Sequence, residues 1–230
     1  MLILPPATVI FQRAQDAWEA RYLPPYVEFD VAIQHHYASG KDVTGSEHVL
    51  LRTFDHWCRT REVETDTGVT TSIGPSCVGP ALSPLGFNIS AQYPTSTQID
   101  PFVGPLRTIT SVRALHYTVT FDGEQTLDGH RCYHLLLQPI GNPDYYPLRA
   151  VWADEATYDV RKLTYAMHQN RWSASIDYSF RPFPPNATWW IESINASWTP
   201  PPHDTADSPY TSRLELENVA FPAERGSREP

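Results

Sequence analysis

Histidine and cysteine are the residue types in this sequence that could form a metal site, because imidazole and thiolate are common metal ligands. His35 and His36 are adjacent on a predicted strand, so their side chains point to opposite faces and cannot share a metal. Cys132 and His134 share one face of a later strand, and His116 is expected on a neighbouring strand. Two or three ligands fall short of a site. We therefore expect no metal and no cofactor, with a metal-dependent hydrolase using the last three residues as a minor alternative.

Other catalytic chemistry is weakly represented. Asp154, Glu155 and Asp159 cluster around a predicted turn, where acidic residues commonly bend the chain. A general acid–base pair needs a buried carboxyl group, and the sequence gives no sign of one. Cys132 lies in a hydrophobic strand, which favours a small buried residue over a nucleophile. Nucleophile-elbow, zinc-protease, phosphate-loop and dinucleotide motifs are missing. The missing motifs do not by themselves exclude an enzyme, but our expectation is that the protein is not one.

Composition and charge further limit the class of protein and its possible partners. The 230 residues are 41% hydrophobic and 19% charged, which predicts a folded chain, and we expect one domain spanning 1–230 with a polar tail at 222–230. The formal net charge is −9, and the two lysines and fifteen arginines are scattered. Since nucleic-acid binding needs clustered basic residues, no nucleic-acid partner is expected. The 22 prolines and the aromatic content of 12% favour short β elements over long helices.

Few features indicate the cellular compartment. No apolar run approaches the ~18 residues of a membrane-spanning helix, and the first residues lack the pattern of a secretory signal. Either the protein is cytosolic or its signal is not present in this chain. Cys58 and Cys77 flank a loop-like stretch, and a disulfide between them is possible, contributing about 3 kcal/mol in the loop-entropy model.

The elements that would position any site are mostly strands. Helical spacing after a candidate N-cap at Thr8 predicts one helix that ends at about Tyr22, before Pro24-Pro25; its apolar residues are Ile10, Ala14, Ala17 and Trp18. From Val27 the apolar residues alternate with polar ones, which is typical of strands with one wet face. About nine to eleven antiparallel strands follow, including a hairpin that turns at Asp128-Gly129.

Residues 74–105 interrupt the strands with prolines, glycines and large apolar residues. Such a long excursion in a compact domain is usually functional or disordered, and its apolar content favours packing. We interpret it as a lid or plug, with a plain structural wrap as the open alternative. Because one helix must cover so many strands, the apolar side of the sheet needs a lid or a ligand.

The order of elements and two segments resemble a known family. Residues 127–139 (LDGHRCYHLLLQP) and 148–154 (LRAVWAD), with the N-terminal helix before its first strand, are similar to bacterial outer-membrane lipoprotein-sorting proteins, the LolA/LolB-like superfamily. The resemblance implies an unclosed β-barrel around the helix and a lid, with a hydrophobic cavity for acyl chains. It also implies a periplasmic or otherwise extracytoplasmic location.

The resulting hypothesis is a monomeric carrier for lipid or lipoprotein acyl chains, which exchanges them with a membrane-associated donor or acceptor protein. Its alternative is a periplasmic sensor or protein-interaction module on the same scaffold. The apolar residues expected in the cavity or lid are Trp18, Phe29, Val31, Ile33, Leu85, Phe87, Phe102, Leu115, Tyr117, Val119, Phe121, Tyr133, Leu135, Leu137, Trp152, Trp172, Ile176 and Tyr178.

Overall fold

A computed structural model gives the fold and describes residues 4–21, 24–52, 58–62, 71–74, 117–141, 143, 146, 148–169, 172–200 and 209–223. Nearly all of the predicted lid therefore lies outside the described residues. So do several residues singled out in the sequence, namely Cys77, Leu85, Phe87, Phe102, Leu115 and His116. The backbone of Ile33, Cys58 and Trp172 is described, but their side chains are not.

The helix α1 spans Ala7–Glu19. It begins one residue before the expected N-cap, Thr8, because the carbonyl group of Pro6 already accepts hydrogen bonds from the N–H groups of Val9 and Ile10, at 2.9 and 3.1 Å. Pro6 itself holds an extended conformation that leads into the helix. The helix also ends earlier than Tyr22. Its buried apolar side chains are Ile10, Phe11 and Ala14, so the apolar stripe faces the core; Gln15 is buried as well.

In the described ranges, eleven antiparallel strands form one sheet, as the alternation predicted. They are β1 (Tyr26–Tyr37), β2 (Asp42–Arg52), β3 (Cys58–Glu62), β4 (Thr71–Gly74), β5 (Tyr117–Leu127), β6 (His130–Pro139), β7 (Leu148–Asp154), β8 (Val160–Gln169), β9 (Trp172–Phe183), β10 (Thr188–Thr199) and β11 (Tyr210–Ala220).

The strand order is β4-β3-β2-β1-β11-β10-β9-β8-β7-β6-β5. Strands adjacent in this order are adjacent in sequence except at one junction, where β1 pairs with β11 from Glu28 opposite Ala220 to Tyr37 opposite Tyr210. Within the described ranges β4 and β5 each have one paired neighbour and are the two edges, so the sheet is open. The chain between Gly74 and Tyr117 links these two edges in sequence.

The hairpin between β5 and β6 confirms the prediction from Asp128-Gly129. Both turn residues have positive φ angles, 49° and 80°, as a tight two-residue hairpin turn requires. The turn pairs Leu127 with His130, and the ladder continues to Tyr117 opposite Pro139. A register shift between Phe121 and Gly123 interrupts it. The hairpin thus forms one complete edge of the sheet, and α1 packs against it and against β7.

Candidate functional site: the apolar face of the sheet

Alternation along the strands gives the sheet one apolar face, and most of the predicted cavity residues lie on it. In β1, Val27, Phe29 and Val31 are fully buried, while the residues between them are partly exposed. The predicted residues that are buried there are Phe29, Val31, Tyr117, Tyr133, Leu135, Leu137, Ile176 and Tyr178. Trp18, Val119 and Phe121 are partly buried and pack against the same cluster. These residues come from β1, β5, β6, β9 and α1, so the sheet brings together positions that are far apart in sequence.

Aromatic side chains dominate the middle of this face. Tyr165 and Tyr178 are fully buried, with ring centroids 5.6 Å apart and an edge-to-face arrangement. Burial raises the pKa of Tyr165 well above its usual value, so its hydroxyl stays neutral. Towards the β5 edge, Phe121 meets Tyr133 at 6.2 Å, again edge to face. The described side chains of this cluster are aliphatic or aromatic, so they are held together by dispersion and by the burial of apolar surface.

Trp152 does not lie on the apolar face, contrary to the prediction, but on the opposite face of the sheet. The sequence placed it with the cavity residues, but β7 is buried on both sides and shows no clean alternation. Its pairing settles the face: Trp152 stands opposite His134, whereas Ala153 and Val151 stand opposite Tyr133 and Leu135. Trp152 belongs to a separate small cluster with Cys132 and Ala150. It therefore cannot line the same surface as Tyr133 and Leu135.

Cys132 and His134 share that second face, as the sequence predicted. The His134 ring stacks on Trp152 with centroids 4.2 Å apart and planes 12° apart. Its Nδ1 lies 3.0 Å from Asp122 Oδ2, and burial lowers the pKa of His134 despite that carboxylate. Burial also raises the pKa of the free Cys132 thiol to about 11. The thiol is therefore not activated, and no group of three or more possible metal ligands occurs in the described ranges.

The acidic turn contains a buried carboxylate that sequence reasoning missed. Asp154 is 5% exposed, and its Oδ1 accepts hydrogen bonds from the N–H groups of Ala156 and Thr157 at 2.9 and 3.2 Å. Arg161 donates to Oδ2 at 3.3 Å. Burial by itself raises the pKa of Asp154, but these donors outweigh it, so the pKa lies below its usual value. An ionised, fully bonded carboxylate bends the chain here and does not act as a general acid.

An arginine held between two indole rings fixes the end of α1. The guanidinium of Arg21 lies 4.3 Å from the ring centroids of both Trp18 and Trp189. Its Nη2 donates to Asp159 Oδ1 at 2.6 Å. Arg161 also lies over Trp189, at 4.6 Å. We call Trp18, Arg21, Asp159, Arg161 and Trp189 the arginine clamp; it ties the helix to the turn before β8 and to the start of β10.

The clamp borders the apolar face. Trp18 meets Phe180 of that face edge to face at 5.7 Å, and Trp189 packs against the same core. Burial lowers the pKa of Arg21, while the carboxylate of Asp159 opposes this change. The sequence carries no local signal for this arrangement, because Arg21 and Trp189 meet only through the order of the strands.

No helix in the described ranges is long and apolar enough to cross a membrane.

Solved structures of other proteins resemble this chain. No protein-family model matches the sequence, and no curated protein matches it. A LolA superfamily protein from Nitrosomonas europaea is similar in structure, with 15% identity, coverage of 95% of this chain and 94% of that chain, and a TM-score of 0.44.

Two further structures are similar over nearly the whole chain. A putative outer membrane lipoprotein-sorting protein domain from Vibrio parahaemolyticus has 12% identity, 96% coverage of each chain and a TM-score of 0.48. A DUF1329 family protein from Desulfovibrio piger has 11% identity, covers 97% of this chain and 96% of that chain, and has a TM-score of 0.49.

Proposed function

We propose that this protein is a carrier that binds the acyl chains of a lipid or lipoprotein against the apolar face of its sheet. The observation that supports this most is the extent of that face, which runs through strands from β1 and β2 to the β5 edge and is built of aromatic and aliphatic side chains. In the described part of the chain, α1 is the one helix, and it packs against β5, β6 and β7.

The energetics of binding need no catalytic group. Each acyl methylene moved from water into an apolar environment contributes about 0.8 kcal/mol, so a dozen contribute on the order of 10 kcal/mol before ordering costs. Phe121, which is partly buried and meets Tyr133 edge to face at 6.2 Å, presents C–H and π surface of the kind an alkyl chain contacts. Binding through burial alone fits a protein that holds and releases its cargo without changing it.

The β5 edge is the proposed entry point. Val119 and Phe121 face the apolar side of this strand and are only partly buried, whereas the apolar residues at the centre of the sheet are fully buried. We further propose that residues 74–105, which follow one edge strand and precede the other, act as the lid. Lid residues and cargo would compete for the same apolar surface, so that loading and opening are coupled.

The proposed setting is extracytoplasmic. A monomer of this kind would receive its cargo from one membrane-associated protein or membrane surface and deliver it to another, most simply in the periplasm. The net charge of −9 disfavours binding to anionic phosphate surfaces, so recognition would rest on the acyl chains.

Two measurements test the proposal. Organic extraction of the purified protein, followed by lipid mass spectrometry, should recover acyl lipids in stoichiometric amounts. A fluorescent fatty-acid probe should bind the delipidated protein. Phe121→Gln should weaken that binding by roughly tenfold, because a fully buried phenylalanine contributes about 1.5–3 kcal/mol and Phe121 is partly buried. Thr120→Gln is the matched control, since Thr120 is the next residue on the same strand and is exposed on the other face.

The outcomes separate the alternatives. Equal probe binding by the two variants would contradict binding at the β5 edge. A delipidated protein that binds no acyl probe, but that crosslinks to a specific protein in extracts, would instead support the interaction-module hypothesis. Circular dichroism of both variants establishes that a loss of binding is not a loss of fold.

A further inference from the structure

The face of the sheet opposite the apolar one carries a concave polar surface. A cavity of about 570 Å³ lies across β2, β1, β11, β10 and β9. Its side chains are mostly short and neutral: the hydroxyl groups of Thr44, Ser175, Ser197 and Thr211, and the amide groups of Gln34 and Asn195. We call this surface the polar trough. Its volume falls within the ~300–1,000 Å³ that is usual for small-molecule sites.

Strand alternation places the trough on the face away from the acyl-binding side. Gln34 and His36 are exposed on either side of buried His35, and Thr211 and Arg213 are exposed on either side of buried Ser212. His35 and Ser212 themselves bond to each other at 3.0 Å within the buried layer. The side chains that reach into the trough are therefore separate from those that form the apolar core.

The charged groups at the trough are already paired. His36 Nδ1 lies 2.5 Å from Asp42 Oδ1. Asp177 accepts from Lys162 at 2.9 Å and from Thr164 at 2.6 Å. Arg213 forms an ion pair with Glu215. A phosphate group would thus find one arginine that already has a carboxylate partner, so the trough does not favour an anionic ligand.

Metal-ion, apolar and peptide ligands are disfavoured as well. No group of three or more possible metal ligands occurs in the described ranges. Ala196 is the apolar residue among those that line the trough, and it is a buried member of the core beneath it. The strands beneath it have hydrogen-bonded neighbours on both sides, so an extended peptide finds no free strand edge there. What the trough offers is a set of neutral side-chain donors and acceptors held on a rigid sheet.

We infer that the polar trough binds a neutral, hydroxyl-rich ligand, namely a short saccharide. Vicinal sugar hydroxyls both donate and accept hydrogen bonds, and the hydroxyl and amide groups of the trough do the same. The aromatic rings at the trough are the imidazoles of His35, which is buried, and His36, so there is no large platform for a sugar ring to stack on. The expected affinity is accordingly modest, with a Kd of about 1 mM.

Nuclear magnetic resonance titration of the full ¹⁵N-labelled chain tests this inference. The probes are maltotriose, cellotriose and N,N′-diacetylchitobiose, each added to about 50 mM, well above a Kd of about 1 mM. At least one should produce saturable amide shifts centred on residues of β1, β9, β10 and β11 that line the trough. Inorganic phosphate, added to a separate sample, should not.

Variants distinguish the trough from other surfaces. Thr211→Val keeps the shape of the side chain but removes a hydroxyl, so it should raise the Kd about threefold to tenfold. Thr120→Val makes the same change on the same face of the sheet but on β5, outside the trough, and should leave the Kd unchanged. Asn195→Leu, which removes both the donor and the acceptor of an exposed side chain, should weaken binding at least as much as Thr211→Val does.

Several results would overturn the inference: the absence of saturable shifts with all three sugars, shifts centred on the apolar face, saturable binding of phosphate instead, or equal affinities of the two threonine variants. The proposed acyl binding is tested separately, since Phe121→Gln should leave saccharide titrations unchanged.

Discussion

The arginine clamp leads to a quantitative prediction about how α1 is held on the sheet. Replacing Arg21 by alanine removes two ring contacts at 4.3 Å and a 2.6 Å ion pair whose side chains are only 12% and 21% exposed. Each partly desolvated cation–π contact contributes about 1 kcal/mol, and a hydrogen bond between charged groups about 1.5–3 kcal/mol.

Part of that sum is offset in the native protein. Arg21 Nε and Nη1 are buried without hydrogen-bond partners, and alanine relieves their desolvation. We therefore expect Arg21→Ala to lower the free energy of unfolding by about 3 kcal/mol, which corresponds to a fall in Tm of roughly 6 to 12 °C in a chain of this size. Arg21→Lys keeps the charge but loses the planar stacking, and should cost about half as much.

Urea unfolding followed by tryptophan fluorescence and by circular dichroism measures these changes. Arg181→Ala is the matched control, because Arg181 also forms an ion pair, with Glu192 at 3.0 Å, and lies 4.2 Å from the Phe183 ring, but is 46% exposed. Its loss should cost less than about 1 kcal/mol. If Arg21→Ala costs no more than Arg181→Ala, or if a double-mutant cycle with Asp159→Ala gives no coupling, the clamp does not fix the helix.

Three further predictions concern titration and turn geometry. The depressed pKa of Asp154 stabilises the folded state fully above its unfolded value of about 3.8, and this contribution is lost as the pH falls through the lower folded pKa. Asp154→Asn should therefore flatten the acid limb of a stability–pH profile measured by urea unfolding. The pKa of His134 should lie below 6.5 when its titration is followed in ¹H–¹³C spectra. Because the unfolded chain then takes up a proton that the folded chain does not, the free energy of unfolding should decline as the pH falls below 6.5. Gly129→Ala should lower the free energy of unfolding by about 1 kcal/mol, since φ is +80° and an added Cβ meets no atom within 4 Å.

Each of these has a clear contrary result. An unchanged acid limb in Asp154→Asn would mean that the bonds from Ala156, Thr157 and Arg161 do not depend on charge. A His134 midpoint above 6.5 would mean that the Asp122 carboxylate outweighs burial. A neutral or stabilising Gly129→Ala would contradict the left-handed conformation of the turn.

The strands were predictable because alternation is a local property of the sequence. Trp172 to Phe180 alternates with serine and aspartate, and the structure places Ile176 and Tyr178 in the core with Ser175 and Asp177 outside it. The hairpin was equally predictable, because Asp128-Gly129 determines its own turn. Where alternation was lacking, prediction failed. In β7 nearly every residue is buried, so the face of Trp152 depended on its pairing with His134.

The parts of the site that depend on strand order could not be predicted. No sequence motif links Arg21 with Trp189. The two side chains meet because α1 packs on a sheet whose strand order is set by the β1–β11 pairing. The polar trough has the same origin. Each of its serines and threonines is an ordinary polar residue of a strand. They line one cavity because the five strands β9, β10, β11, β1 and β2 are neighbours in the sheet.

The pairing of β1 with β11 also has a consequence for how the sheet is completed during synthesis. Glu28 cannot pair with Ala220 until β11 has been synthesised. One edge of β1 therefore stays unpaired while the intervening strands are made. Two partial sheets, β4-β3-β2-β1 and β10 through β5, can form by local hairpins, and among the described strands β11 is the one that joins them through hydrogen bonds. The sheet is therefore complete only when β11 has been inserted between β1 and β10. A chain cut before Tyr210 would expose two facing edges, and a separate peptide with the sequence of β11 is the natural piece to close them.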